Sequence, residues 1–157
     1  MVFSNDQFEK AEIKANQFYE KNRTISCPAL GDIKLTPAGM EHIRKKNKKH
    51  YRDDKQIYVR YKCFLNIKDV LNKMHYYQEY TVLARDIEER KNGKNVITKK
   101  MVTYIAFIAI VKVGIDLNRI KIVISKTQWK DNYEFVSIIP SRNNESYRMF
   151  DSEDLWD

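Results

Sequence analysis

The sequence predicts an α+β fold: N-terminal helices packed on one face of a four-stranded antiparallel β-sheet, a meander. Three observations carry this expectation. Apolar residues recur at helical spacing through the first half of the chain, and four β-rich stretches separated by turn-like segments fill the second half. The composition, with 43% hydrophobic residues, 12% aromatics, four glycines and three prolines, is that of a packed globule. A chain of 157 residues fits a single domain. Residues 1–157 are therefore read as one unit, with 1–31 an N-terminal helix and linker and 141–157 a C-terminal tail that is acidic at its end.

From Asn5 to about Lys21, Phe8, Ala11, Ala15, Phe18 and Tyr19 form an apolar stripe on an otherwise charged helix. "CPALGD" breaks the pattern, "DIKL" is compatible with a short extended piece, and Thr36 followed by Pro37 reads as N-cap and first helical residue. In this second helix, "TPAGMEHIRKKNKKHYR", Met40 and Ile43 face the core. Ala38, His42, Lys45 and Lys49 follow one another along a neighbouring face. Asp53 or Asp54 offers another helix start, and Val70, Leu71 and Met74 keep helical spacing. Ile57, Val59 and Tyr61 alternate like a strand, which leaves 55–63 open between helix and strand. The four strands are expected in "YYQEYTVLARDI", "MVTYIAFIAIVKV", "RIKIVIS" and "YEFVSIIP". The first two are joined through the Asn-Gly dipeptide of "KNGK" and the last two through "KTQWKDN".

A formal charge of +8 favours an anionic partner. Cys27 and Cys63 belong to no metal-spaced group and are expected to be reduced thiols in a cytoplasmic protein. No apolar run approaches the ~20 residues that span a bilayer, so no membrane association is expected. There is no Gly-rich phosphate loop, zinc helix or nucleophile turn, and no cofactor is expected.

What remains is chemistry suited to RNA, which carries its own nucleophile in the 2′-hydroxyl. Histidine can move the protons near neutral pH, and fixed cations can offset charge on the phosphoryl oxygens. His42, at the border of core and solvent, fits this use, although from the residues alone a half-buried helix histidine satisfied by water or backbone is the favoured reading. His50 lies in a charged stretch past the expected helix end, and His75 in an aromatic segment reads as structural. Arg44, Lys45, Lys46, Lys48, Lys49 and Arg52 form a basic run that can track a phosphate backbone or simply be a solvated surface. On "RIKIVISK" alternation places Ile120, Ile122, Ile124 and Lys126 on one face. On "EFVSIIP" it places Phe135, Ser137 and Ile139 together. Ser137 then reads as a phosphate donor or a small filler, and Arg60 and Lys62 reach the same cleft if 55–63 crosses it.

The order of these features, a "HIRKKNKKH" helix, then "NIKDVL", "VTYIAFIAIVK", "IKIVISK" and "FVSIIP", resembles the barnase, EndoU, colicin and RelE-like (BECR) nuclease superfamily, in particular small members associated with phages and mobile elements. The likeness covers about residues 32–140. It implies N-terminal helices on a four-stranded antiparallel sheet and metal-independent RNA cleavage. His42 would be the acid or base, Lys126 a phosphate or transition-state cation, and Ser137 a substrate-binding hydroxyl. Arg60 is a weaker addition, and His50 a source of the second proton-transfer group. The expected function is thus a metal-independent endoribonuclease of toxin or mobile-element type, with RNA as substrate and an antitoxin or immunity protein as a further partner. Two other readings stay open: a non-catalytic nucleic-acid-binding module, and a protein-binding component of a mobile element.

Overall fold

The structure is a computed structural model in which residues 3–141 are described. Helix α1 (Asn5–Lys21) starts at a capping box, with Ser4 and Gln7 each satisfying the other's backbone N–H. It buries Ala11, Ala15 and Tyr19, four residues apart, and the two small alanines let α3 approach closely. Strands β1 (Thr24–Cys27) and β2 (Gly31–Lys34) form an antiparallel hairpin whose turn needs the positive φ of Gly31. Helix α2 (Pro37–Arg44) begins as the sequence predicts, with the Thr36 side chain accepting from the Gly39 N–H and Pro37 in the first turn.

This helix does not run on through the basic stretch. It stops at Arg44, and β3 (Lys45–Asn47) and β4 (His50–Tyr51) make a small separate hairpin. The Asn47 side-chain oxygen accepts from the backbone N–H groups of Lys49 and His50, at 2.9 and 3.0 Å. That local bond competes with helix formation, and lysines three and four residues apart would repel one another on a helix.

The ambiguous 55–63 segment is helical. In α3 (Asp54–Phe64), Asp53 caps the Gln56 N–H at 2.8 Å, and Ile57, Tyr61 and Phe64 are buried at helical spacing. A short α4 (Ile67–Leu71) buries Ile67 and Leu71.

The main sheet overturns the expected four-stranded antiparallel meander, since among the described residues it has six strands in the order β1-β2-β8-β7-β6-β5 and is mixed. Strands β5 (Glu79–Lys91), β6 (Lys94–Val113), β7 (Asp116–Thr127) and β8 (Tyr133–Ser141) pair antiparallel, with Asn92 and Gly93 at positive φ in the first turn. Strand β8 then pairs in parallel with β2 through Ile33↔Tyr133 and Lys34↔Glu134. At four residues each, β1 and β2 are too short for alternation to stand out in the sequence, although β1 buries every second residue, and the parallel pair joins segments from opposite ends of the described chain.

Residues opposite each other in a ladder share a face. One face carries Ile105 and Phe107 of β6, Ile120, Ile122 and Ile124 of β7, and Phe135 and Ile138 of β8. These pack with Ala15, Tyr61 and Phe64 of the helices into the main core. The opposite face has a smaller cluster of Val102, Tyr104 and Val123, with Leu83, Ile87, Val136 and Ile139 partly buried around it.

Beyond Glu134 the outer edge of β8 has no strand partner among the described residues, and α2 and α3 pack along it. Arg60 of α3 donates to the Ile138 carbonyl. Gly39 of α2 sits so close that a Cβ there would meet the Phe135 carbonyl oxygen at 2.6 Å and its ring at 2.7 Å.

Candidate functional site

A cleft of about 500 Å³ lies between α2 and the sheet face turned away from the main core. Its floor is Val102, Tyr104, Ser125 and Thr127, on that face by ladder register, with Val136 of the β8 bulge packed against the same apolar cluster. One wall is α2 with the β3–β4 hairpin, contributing Ala38, Glu41, His42, Lys45 and Lys48. The far side is β5 at Asp86, Ile87 and Glu88, and Glu134 closes the β8 end.

His42 is the sequence-predicted residue that the cleft retains most clearly. It is 3% exposed, held on α2 by the same close approach that requires Gly39. Burial pushes its pKa down to about 3, and the guanidinium groups of Arg52 and Arg60 push in the same direction. The imidazole is therefore neutral at physiological pH and able to accept a proton. Lys45 also lines the cleft and forms an ion pair and hydrogen bond with Glu41 one turn earlier, which raises its pKa. Lys48 reaches the cleft from the hairpin tip.

The other expected residues are dispersed. Lys126 continues the row of Ile120, Ile122 and Ile124, as alternation indicates, so it lies on the helix face opposite Thr103, with its Nζ 5.3 Å from the Tyr133 ring centroid. Ser137 lies on the other face. The register of β8 shifts between Val123 and Ile124, so that Phe135 sits opposite Ile124 while Ser137 sits opposite Val123. This bulge separates Phe135 from Ser137 and corrects the expectation that they share a face. Ser137 is fully buried, and its hydroxyl has no hydrogen-bond partner among the described residues. His42, Lys126 and Ser137 are thus not brought together around one cleft.

Arg60 is 8% exposed and spends one guanidinium N–H on β8. Arg52, 6% exposed, donates its backbone N–H to the Arg44 carbonyl at 2.8 Å. Arg44 turns to the α1 side of the molecule, beside the Tyr61 hydroxyl, which donates to Glu12 at 3.2 Å. Lys62 lies 5.7 Å from the Tyr58 ring centroid on α3. Lys46, Lys49 and His50 are exposed on the hairpin, with the His50 Nδ1 2.9 Å from the Asn47 side-chain oxygen. The basic run is thus split by the end of α2: Arg44 and Arg52 turn inward, Lys45 and Lys48 line the cleft, and Lys46 and Lys49 meet solvent.

Sequence reasoning missed Glu134, Tyr104, Ser125 and Thr127. A signal was present for two of them, because the alternation that places Ile122 and Ile124 on one face of β7 places Ser125 and Thr127 on the other. The cleft is also less basic than the hairpin beside it, with Glu41, Asp86, Glu88 and Glu134 against Lys45 and Lys48. Among the described residues, no group of three or more His, Cys, Asp or Glu side chains is placed to hold a metal ion, and no helix is long and apolar enough to cross a membrane. Cys27 and Cys63 are both buried free thiols, and burial pushes Cys63 up to about 12. Comparison with protein-family models, with curated proteins and with solved structures gave no match.

Proposed function

We propose that the cleft beneath α2 binds RNA and cleaves it by attack of the 2′-hydroxyl on the adjacent phosphate, without a metal. The observation that carries this reading is a neutral, buried imidazole sharing one cleft with carboxylates and lysine ammonium groups. His42 accepts the 2′-hydroxyl proton. Its depressed pKa keeps the imidazole in the unprotonated form that can accept a proton, and bound phosphate, by offsetting the field of Arg52 and Arg60, raises that pKa from its low value. Lys45 and Lys48 offset charge on the phosphoryl oxygens, while the exposed Lys46 and Lys49 guide the strand toward the cleft. The departing 5′-oxygen takes its proton from solvent water, and Glu134, an acceptor on the β8 side, can orient that water.

A second reading, RNA binding without cleavage, is favoured by the absence of Lys126 and Ser137 from the cleft that His42 lines. Incubation of the full chain with labelled RNA in excess EDTA distinguishes the two. Cleavage to 2′,3′-cyclic phosphate ends by wild type and not by folded His42→Ala or His42→Gln supports the catalytic reading. Salt-sensitive binding with intact RNA supports the module, and equal cleavage by the variants removes His42 from the chemistry.

A further inference from the structure

The β7–β8 connection joins two cleft-lining positions, Thr127 and Glu134, and it carries the most unusual backbone of the described chain. Trp129 adopts φ 71°, in the left-handed region, where a bulky side chain is disfavoured. The residue is 85% exposed, and its ring meets no aromatic ring, cation or hydrogen-bond acceptor among the described residues. Packing of the indole therefore does not explain the conformation.

The neighbours hold it instead. The Lys130 N–H donates to the Thr127 carbonyl at 3.0 Å, closing a tight turn across the tryptophan. Gln128 is clamped to β6 through two bonds with Met101: its backbone N–H donates to the Met101 carbonyl at 2.9 Å, and its side-chain oxygen accepts the Met101 N–H at 3.1 Å. A strained residue fixed on both sides presents a large flat ring to solvent at the end of the cleft, one residue before the exposed ammonium group of Lys130.

We propose that Trp129 is a stacking platform for an unpaired base of single-stranded RNA, placed just outside the cleft. This rests on the reading of the cleft as an RNA site and specifies its substrate class. A base in a duplex has both faces covered by its neighbours, so an exposed indole selects strands with at least one unstacked nucleotide. The fixed turn lowers the ordering cost of stacking, and the adjacent lysine pairs with the flanking phosphate. A glycine would adopt this backbone without strain, so the presence of tryptophan indicates that the ring itself has a use.

The test uses the full chain and a short single-stranded 2′-O-methyl RNA, which the 2′-hydroxyl chemistry cannot cleave. Trp129→Ala is expected to weaken its binding about ten-fold, the scale of one lost base stack, while Trp129→Phe recovers most of the affinity. Trp129→Gly is expected to bind as poorly as Trp129→Ala with an unlowered Tm, since it relieves the backbone. With Trp156→Phe, Trp129 is the sole tryptophan of the two in the sequence, and its fluorescence is expected to quench as the oligonucleotide is added. Unchanged affinity in Trp129→Ala, unchanged fluorescence on binding, or a Tm loss in Trp129→Gly that accompanies the binding loss overturns the proposal. If wild type binds the oligonucleotide and Trp129 is silent, this inference alone fails; if wild type binds no single-stranded RNA, the reading of the cleft fails with it.

Discussion

The two faces of the sheet are built from the same strands and differ in what they bury. At the rung where Phe107, Ile122 and Ile138 meet the helices, the enclosed side chains are apolar apart from Arg60, which reaches in from α3 to the Ile138 carbonyl. One residue along, Val123 pairs with Ser137 on the other face. Next to it Lys121, 1% exposed, lies 3.5 Å from Glu79. Farther out on that face Lys100 is bonded to Glu89, whose pKa is held below its ordinary value by the contact. Buried ion pairs and hydroxyls add little net stability, because desolvation offsets most of the attraction. The helix face therefore carries the fold, and the opposite face, relieved of that task, has room for a cleft lined by an imidazole, carboxylates and hydroxyls.

The sharpest way to break this comparison is to make a large deletion on each face. Phe107→Ala, at a fully buried position of the main core, is expected to cost about 3–5 kcal/mol in urea unfolding. Val123→Ala on the opposite face removes less apolar volume, and a loss as large as that of Phe107→Ala would show that both faces carry the fold equally.

The next effect depends on pH. His42 has a folded pKa of about 3, below its unfolded value near 6.5, so the unfolded chain takes up a proton first as pH falls. Its contribution is fully present above pH 6.5 and is lost progressively down to about pH 3, to the extent of a few kcal/mol. Replacing His42 with glutamine is expected to flatten the stability profile across that window, measured by urea midpoints at successive pH values. An unchanged slope would mean that the imidazole is not held neutral by the fold.

Where α2 closes on β8, Gly39→Ala is expected to destabilise by about 1–3 kcal/mol, although alanine is the better helix former, because its Cβ meets backbone that cannot turn aside. A shift of α2 to relieve the clash would also open the cleft, so RNA binding should fall with Tm. The smallest effect is expected at Ser137. Its buried hydroxyl has no partner among the described residues, so Ser137→Ala should be neutral or stabilising within about 1 kcal/mol. A clear loss would show that the hydroxyl is used.

Much of this architecture was legible locally. The Ala11, Ala15 and Tyr19 stripe of α1, the Thr36 and Pro37 start of α2, the Asn92-Gly93 turn and the facing of Lys126 all follow from residues within four positions of one another. His42, expected at the border of core and solvent, is instead buried to 3% exposure where it lines the cleft. The other features depend on caps, turn geometry and side-chain period, which act over a helical turn or a pair of strand residues. By itself the sequence thus determined the starts of α1 and α2, the Asn-Gly turn and the facing of β7.

Only the tertiary structure decided the remainder. The helical state of α3 follows from burial of Ile57, Tyr61 and Phe64 against α1 and the sheet, and not from their ambiguous spacing. The parallel join of β2 to β8 makes a six-stranded sheet out of an expected four, and the bulge in β8 sends Ser137 to the face opposite Phe135. The end of α2 at Arg44 divides the basic run between interior, cleft and solvent. Each of these depends on a partner far away in the chain or on competition between local bonds, and a one-residue change of register reverses the direction of every side chain after it. The composition of the cleft was therefore fixed only when β5, β7 and β8 were set against α2.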